Sequence, residues 1–211
     1  MNAIAGLRDI EAIERDAPPL PASTYEMIRR AAAQHAEAPA LSFFLRVQDH
    51  PRPLTWDYAT LFTRITATAN FFHALGVGKD DVVAFVLPNL PETHLTIWGG
   101  EAAGIVLAVN PMLEPAAIAE LLKAGAAKLL VTLAPGPGSD LWPRLQPLLA
   151  GLPALRHVVL VDLARQLPAA AAPARPAADA QRSGSDRVAL HDIADGIAGQ
   201  PGDRLQSGRV I

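Results

Sequence analysis

Short apolar runs alternate with amphipathic stretches along most of this chain. Val82–Leu87 and Lys128–Leu133 are runs of strand length, the pattern of strands buried on both faces. Ala40–Val47, Ile105–Val109 and His157–Leu163 read as further strands. Helical spacing fills the gaps. Ser23 stands three residues before Glu26, the capping-box interval, and predicts a helix over about Thr24–Ala36 with Met27, Ile28, Ala31 and His35 on or near one face. Thr55 is the expected N-cap of a helix over Trp56–Leu75, where Leu61, Phe62, Ile65, Ala69 and Phe72 follow helical intervals and Gly76 supplies the stop. Pro91–Ala103 reads as a helix with proline in its first turn and Glu92 beside the positive dipole end; Gly104 closes it. A helix beginning at Glu114 or Pro115 runs to Ala124 and ends at Gly125. Ser139 or Asp140 caps another, to about Ala150. Buried strands alternating with such helices predict an α/β fold with a mainly parallel sheet flanked by helices and right-handed crossovers. The strand order is not contained in the pattern.

The periodicity fails at both ends. Residues 1–22 read as an irregular lead-in, and 23–163 as the α/β unit. Residues 164–187 include PAAAAPARPAADAQRSGS, which has no apolar period and predicts a flexible loop or insertion. Residues 188–211 read as a truncated continuation, with a short amphipathic element over Val188–Ile197.

Composition narrows the class. A length of 211 residues suits one large domain or two small ones, and 50% hydrophobic with 18% charged residues is enough for a core. A net charge of −3 argues against a basic nucleic-acid-binding protein. The chain has no cysteine, which removes disulfides, thiolate zinc sites, iron–sulfur clusters and cysteine nucleophiles, and fits a reducing cytosol. No apolar run approaches the roughly 18–20 residues of a membrane span. The N-terminal stretch carries Asp9, Glu11, Glu14 and Asp16 instead of the basic start of a signal peptide. A soluble cytoplasmic protein is the expectation.

Candidate chemistry is sparse. Gly136-Pro137-Gly138-Ser139-Asp140-Leu141 lies between a predicted strand and helix, where a dinucleotide-binding turn belongs, and Asp162 ends the next strand where a ribose-binding acid would sit. Leu141 replaces the third glycine and Pro137 removes a backbone donor, so an ordinary βα loop is the plainer reading. Asn89, Glu92 and His94 follow the carboxyl end of a buried strand, where open α/β sheets bind ligands. Yet Asn89 between prolines also suits a turn, Glu92 suits a first helical turn, and Glu-x-His places the two side chains on different helix faces. His35, His50, His73, His94, His157 and His191 show no metal spacing. No G-x-S-x-G elbow surrounds Ser23, Ser42, Ser139, Ser183, Ser185 or Ser207, and no G-x-x-x-x-G-K-[ST] loop exists. No catalytic, cofactor-binding or metal residue is assigned on chemistry alone.

Three ordered runs carry more information. Leu54-Thr-Trp-Asp-Tyr-Ala-Thr-Leu61, Leu75-Gly-Val-Gly-Lys-Asp-Asp-Val-Val-Ala-Phe-Val-Leu-Pro-Asn-Leu-Pro-Glu92 and Gly100-Glu-Ala-Ala-Gly-Ile-Val-Leu-Ala-Val-Asn-Pro111 resemble the N-terminal part of AMP-forming acyl-CoA synthetases, members of the adenylate-forming superfamily. Thr24-Tyr25-Glu26 and Glu120–Lys128 fit too, so the resemblance covers about Ser23 to Leu163. Trp56 stands where the family has tyrosine, Ala59-Thr60 alter the acidic step of the same element, and Asp80 takes a usual glycine position. The resemblance implies a parent reaction in which a carboxylate and ATP give an acyl-adenylate and pyrophosphate, and coenzyme A then displaces AMP, with magnesium offsetting phosphate charge. It also implies an incomplete N-terminal subdomain. The family's Ser/Thr/Gly-rich phosphate loop, its adenine- and ribose-binding segments and its C-terminal domain with a catalytic lysine come later, and none is in this sequence. In the matched runs Gly76 and Gly104 are expected chain reversals, Asn89 and Pro91 a turn, and Asn110-Pro111 a strand exit. The chain alone should bind none of ATP, magnesium or coenzyme A. Its implied partner is the missing C-terminal portion, and its exposed apolar surface and sheet edges favour self-association.

Overall fold

The computed structural model describes residues 19–136, 140–163 and 188–206. The lead-in up to residue 18, the loop at 164–187 and residues 207–211 therefore lie outside the described residues, as do Pro137, Gly138 and Ser139.

The chain enters through α1 (Thr24–Gln34), whose first free amides are met by Ser23: its hydroxyl accepts from the Glu26 amide at 3.2 Å. The reciprocal half of the expected box is not made. Instead Glu26 pairs with Arg29 and Arg30, whose hydrogen bonds hold its carboxyl at about 2. The buried face is Tyr25, Ile28 and Ala32, while Met27 is 49% exposed. The Tyr25 hydroxyl finds Thr66 at 2.9 Å, and that partner turns the helix away from the face expected from Met27 and Ala31.

A hairpin follows: β1 (Pro39–Phe43) pairs antiparallel with β2 (Leu54–Asp57). This displaces the predicted start of the next helix. Thr55 and Trp56 are extended, and Asp57 is the cap of α2 (Tyr58–Ala74), accepting from the Thr60 amide at 2.7 Å. A β-branched residue and an aromatic suit the strand, and a carboxylate is a strong cap. Gly76 closes the helix at φ +80, as expected.

The main sheet contains β3 (Val82–Val86), β4 (Ile105–Ala108), β5 (Ala127–Leu133), β6 (His157–Val161) and β7 (Ala189–Asp192). All neighbours are parallel, in the order β4-β3-β5-β6-β7. Strand β7 was missed in the sequence because its four residues, ALHD, carry two polar side chains. Together with α6 (Ile193–Ala198), capped by Asp192, it replaces the single amphipathic element expected over Val188–Ile197.

Alternation along the strands makes two cores. Val83, Phe85, Leu129, Val131, Val159 and Val161 face Phe71 and Phe72 of α2 and Ile193 of α6. Ala84, Val86, Leu130, Val158 and Leu160 face the other way, onto Ile118 and Leu122 of α4 (Pro115–Ala124) and Trp142 and Leu145 of α5 (Leu141–Leu145). Beyond α5 the predicted helix tightens into a 3-10 segment, Gln146–Gly151, where Pro147 lacks an amide donor. A third cluster joins α1 and α2 to α3 (Pro91–Ala103) through Tyr25, Trp56, Ile65, Leu95 and Ala102.

Gly104 and Gly125 end their helices as expected, but neither is left-handed. Gly104 has φ −166, which is extended backbone, so it is no left-handed reversal. Gly125 has φ −78, and the left-handed residue beyond α4 is Ala126, at φ 49. An L side chain there costs about 1 kcal/mol. Ala126 is exposed, so Ala126→Gly should relieve this without loss of packing. The expected gain is about 0.5–1 kcal/mol, or about 2 °C in Tm by thermal unfolding. A lowered Tm would refute it.

Candidate functional site

The carboxyl end of the sheet gathers most of the candidates. Pro88 and Asn89 are exposed beyond β3, and Leu90 leads into α3. Thr93 fixes this corner. Its hydroxyl donates to the Pro88 carbonyl at 2.6 Å and accepts from the Leu90 amide at 3.3 Å. Sequence reasoning gave the turn to Asn89 and Pro91 and overlooked Thr93. The signal was a hydroxyl three residues into a helix whose N-cap, leucine, cannot accept a bond. At the exit of β4, Asn110 accepts from the Met112 amide at 2.9 Å, the turn geometry its type favours.

Glu92 and His94 separate as their spacing predicts. Glu92 faces a cleft, and His94 does not line it. Both are half-buried, and burial pushes the His94 imidazole below its ordinary value. Of the glycine-rich turn, Gly136 is described and the Ala134 amide donates to the Val161 carbonyl at 2.9 Å; Gly138 lies outside the described residues. Asp162 directly follows β6, half-buried and with a partner.

The cleft has a volume of about 590 Å³ and lies between α2, the start of α3, α6 and the segment after α6. Trp56, Arg64, Glu92, Leu95, Ile197 and Gln200 give it its character. The Arg64 guanidinium lies 4.6 Å from the Trp56 ring centroid, a cation–π contact. These residues are far apart in sequence, and no local pattern announces them. The cleft offers one carboxylate, one guanidinium and two threonine hydroxyls, Thr60 and Thr63. That set can hold a molecule, but it contains no paired acid and base and no activated nucleophile.

At the opposite end of the sheet Lys128 donates to Asp81 at 2.7 Å and to the Gly76 carbonyl at 2.6 Å. Burial pushes the Asp81 carboxyl up, but the Lys128 ammonium and the Gly78 amide outweigh it and hold it low. This brace ties a turn to a strand. Among the described residues no group of three or more His, Asp or Glu side chains could hold a metal ion. No helix among them is long and apolar enough to cross a membrane.

A family model described as "AMP-binding enzyme" matches residues 28–195, most of the chain. The chain belongs to this family. Curated relatives agree. A marinolic acid–CoA ligase from Pseudoalteromonas sp. (strain SANK 73390) is 32% identical over 112 residues, which is 53% of this chain and 17% of the relative. The 4-coumarate–CoA ligase 1 of Arabidopsis thaliana is 44% identical over 62 residues, 29% of this chain and 11% of the relative. Among solved structures, the anthranilate CoA ligase AuaEII in complex with anthranoyl-AMP matches with a TM-score of 0.64 at 19% identity, over 89% of this chain and 30% of that one. The acetoacetyl-CoA synthetase of Streptomyces lividans gives 0.61 at 21% identity, over 83% and 25%. These likenesses establish the fold as an N-terminal part of an AMP-forming acyl-CoA synthetase. The chain spans less than a third of each of these relatives.

The three family-like runs map onto scaffold. The first is β2 and the start of α2. The second is the Gly76 turn, β3 and the Thr93-bound corner, and the third is the end of α3, β4 and the Asn110 turn.

Proposed function

We propose that this chain supplies the first α/β layer of an ATP-dependent acyl-CoA synthetase and performs no ligation by itself. The parent reaction joins a carboxylic acid to coenzyme A with release of AMP and pyrophosphate. The observation that carries the reading is the division of labour in the fold: the family-like runs form turns, caps and core, and the cleft lacks an acid–base pair. ATP, magnesium and coenzyme A belong to the parent, and no residue of this chain is assigned to them. The partner is the remainder of the synthetase. Self-association is a second consequence of the same reading. Edge strand β4 leaves Ile105 51% exposed, and Met112 beyond it is 87% exposed. The lack of cysteine supports a cytoplasmic setting.

The test is pyrophosphate release from the chain with ATP, magnesium, coenzyme A and a panel of carboxylic acids. No release above background is expected. Co-expression with a segment that begins at a Ser/Thr/Gly-rich phosphate loop should restore it. Turnover by the chain alone would overturn the proposal. A stable monomer that no downstream segment activates would favour a second reading, a standalone interaction module.

A further inference from the structure

Strand β7 is held by an unusual fastener. His157, at the start of β6, and His191, in β7, lie on the same face of the sheet with Nδ1 of one 3.1 Å from Nε2 of the other. Their rings are 5.3 Å apart, and Phe71 of α2 closes the edge of His191. The backbone of Leu75, at the end of α2, lies beside His157. While both rings are neutral, one of the two facing nitrogens donates and the other accepts. The pair sits among cations: Lys128 on β5 and Arg156 just before β6 both act on His157. Lys128 itself is paired with Asp81. From α2 and its end the pair meets the Phe71 ring and the backbone of Leu75. On β7 itself Asp192 is turned to the amides of Ala194 and Asp195.

We propose that the His157–His191 pair is a proton-operated latch for the end of this domain. While it is neutral it fastens β7, α6 and the segment after α6 to the sheet; a second proton puts two imidazolium rings in contact beside Lys128 and releases them. The released part is a wall of the cleft, since Ile193, Ile197, Gln200 and Gly202 line it. Opening the latch therefore opens the cleft.

Burial first, and then neighbouring positive charge, holds both imidazoles below their ordinary value of 6.5. The sign follows. The unfolded chain binds these protons first, so the latch contributes fully above about pH 6.5 and loses strength as pH falls below that. Hydrogen exchange on the intact chain tests this, with amides of β7 and α6 compared with β5 after correction for intrinsic rates. Between pH 7.5 and 5.0 the relative protection of β7 should fall about tenfold. His191→Gln can still hydrogen-bond His157 but cannot take a proton, and should flatten the response. Unchanged relative protection in the native chain, or the same fall in His191→Gln, would overturn the latch. Should the variant fail to fold, imidazole proton shifts in the native chain decide. A coupled pair titrating below 6.5 supports the proposal, and two independent curves at 6.5 refute it.

Discussion

Asn70→Ala should cost the fold about 3 kcal/mol and loosen the end of the domain more than its centre. Asn70 is fully buried in α2. Its amide nitrogen donates to the carbonyls of Pro201 and Arg204, at 2.7 and 2.8 Å, and its oxygen accepts from the Gln206 amide at 2.8 Å. One side chain thus satisfies three backbone groups more than 130 residues away in sequence. Leaving such groups unmet costs about 1–3 kcal/mol each when they stay buried. The segment is partly exposed, and water can reach some of them if it lifts, so the total falls well short of three full penalties. Alanine also leaves a void. Urea denaturation would measure the loss, and exchange at Gln206 should rise before exchange in β5. Asn70→Asp keeps the acceptor and loses both donors, setting a carboxylate against two carbonyl oxygens. It should be no more stable than Asn70→Ala. Either variant within 0.5 kcal/mol of the native chain would show that the segment is held by something else.

This anchor explains part of what the sequence could and could not show. Buried strands such as Val83–Val86 and Leu129–Leu133 are legible because continuous apolar runs have few other uses. Helices α3 and α4 start at the predicted residues because Pro91 and Pro115 mark first turns without ambiguity. Pairing is less legible. Thr55 and Trp56 take their conformation from Leu41 and Ser42 across the hairpin, which no local pattern encodes. Strand β7 is short and half polar, and it is a strand because β6 offers it an edge. The cleft was invisible for the same reason. Trp56, Glu92 and Ile197 meet only through the packing of β2, α3 and α6, and Asn70 reads as an ordinary helical polar residue until the distant segment arrives. The family-like runs were the strongest functional signal, and they mark corners and braces.

The tightest of those corners gives the other large effect. Gly104→Ala should destabilise the protein by about 3 kcal/mol, although the backbone there is extended and any residue could adopt it. The obstacle is space. A Cβ at Gly104 would lie 2.5 Å from the Asp81 carbonyl oxygen and 2.9 Å from that of Gly78. Neither oxygen can give way cheaply. Asp81 accepts from the Ile105 amide at 2.9 Å, the first bond between β3 and β4, and Gly78 accepts from the Asp81 amide at 2.9 Å within its own turn. The same turn is braced by the Asp81 carboxylate, which accepts from the Gly78 amide at 2.8 Å and from Lys128 at 2.7 Å. Moving either oxygen breaks a bond that aligns the sheet, so overpacking here reaches the upper end of its usual 1–3 kcal/mol cost. Gly151→Ala is the control, since nothing lies within 4 Å of a Cβ at that position. Its stability should stay within about 0.5 kcal/mol of the native chain. Chemical denaturation of both variants decides the matter. Equal midpoints would mean that the Gly78–Asp81 turn is soft, and that glycine at 104 reflects something other than close approach.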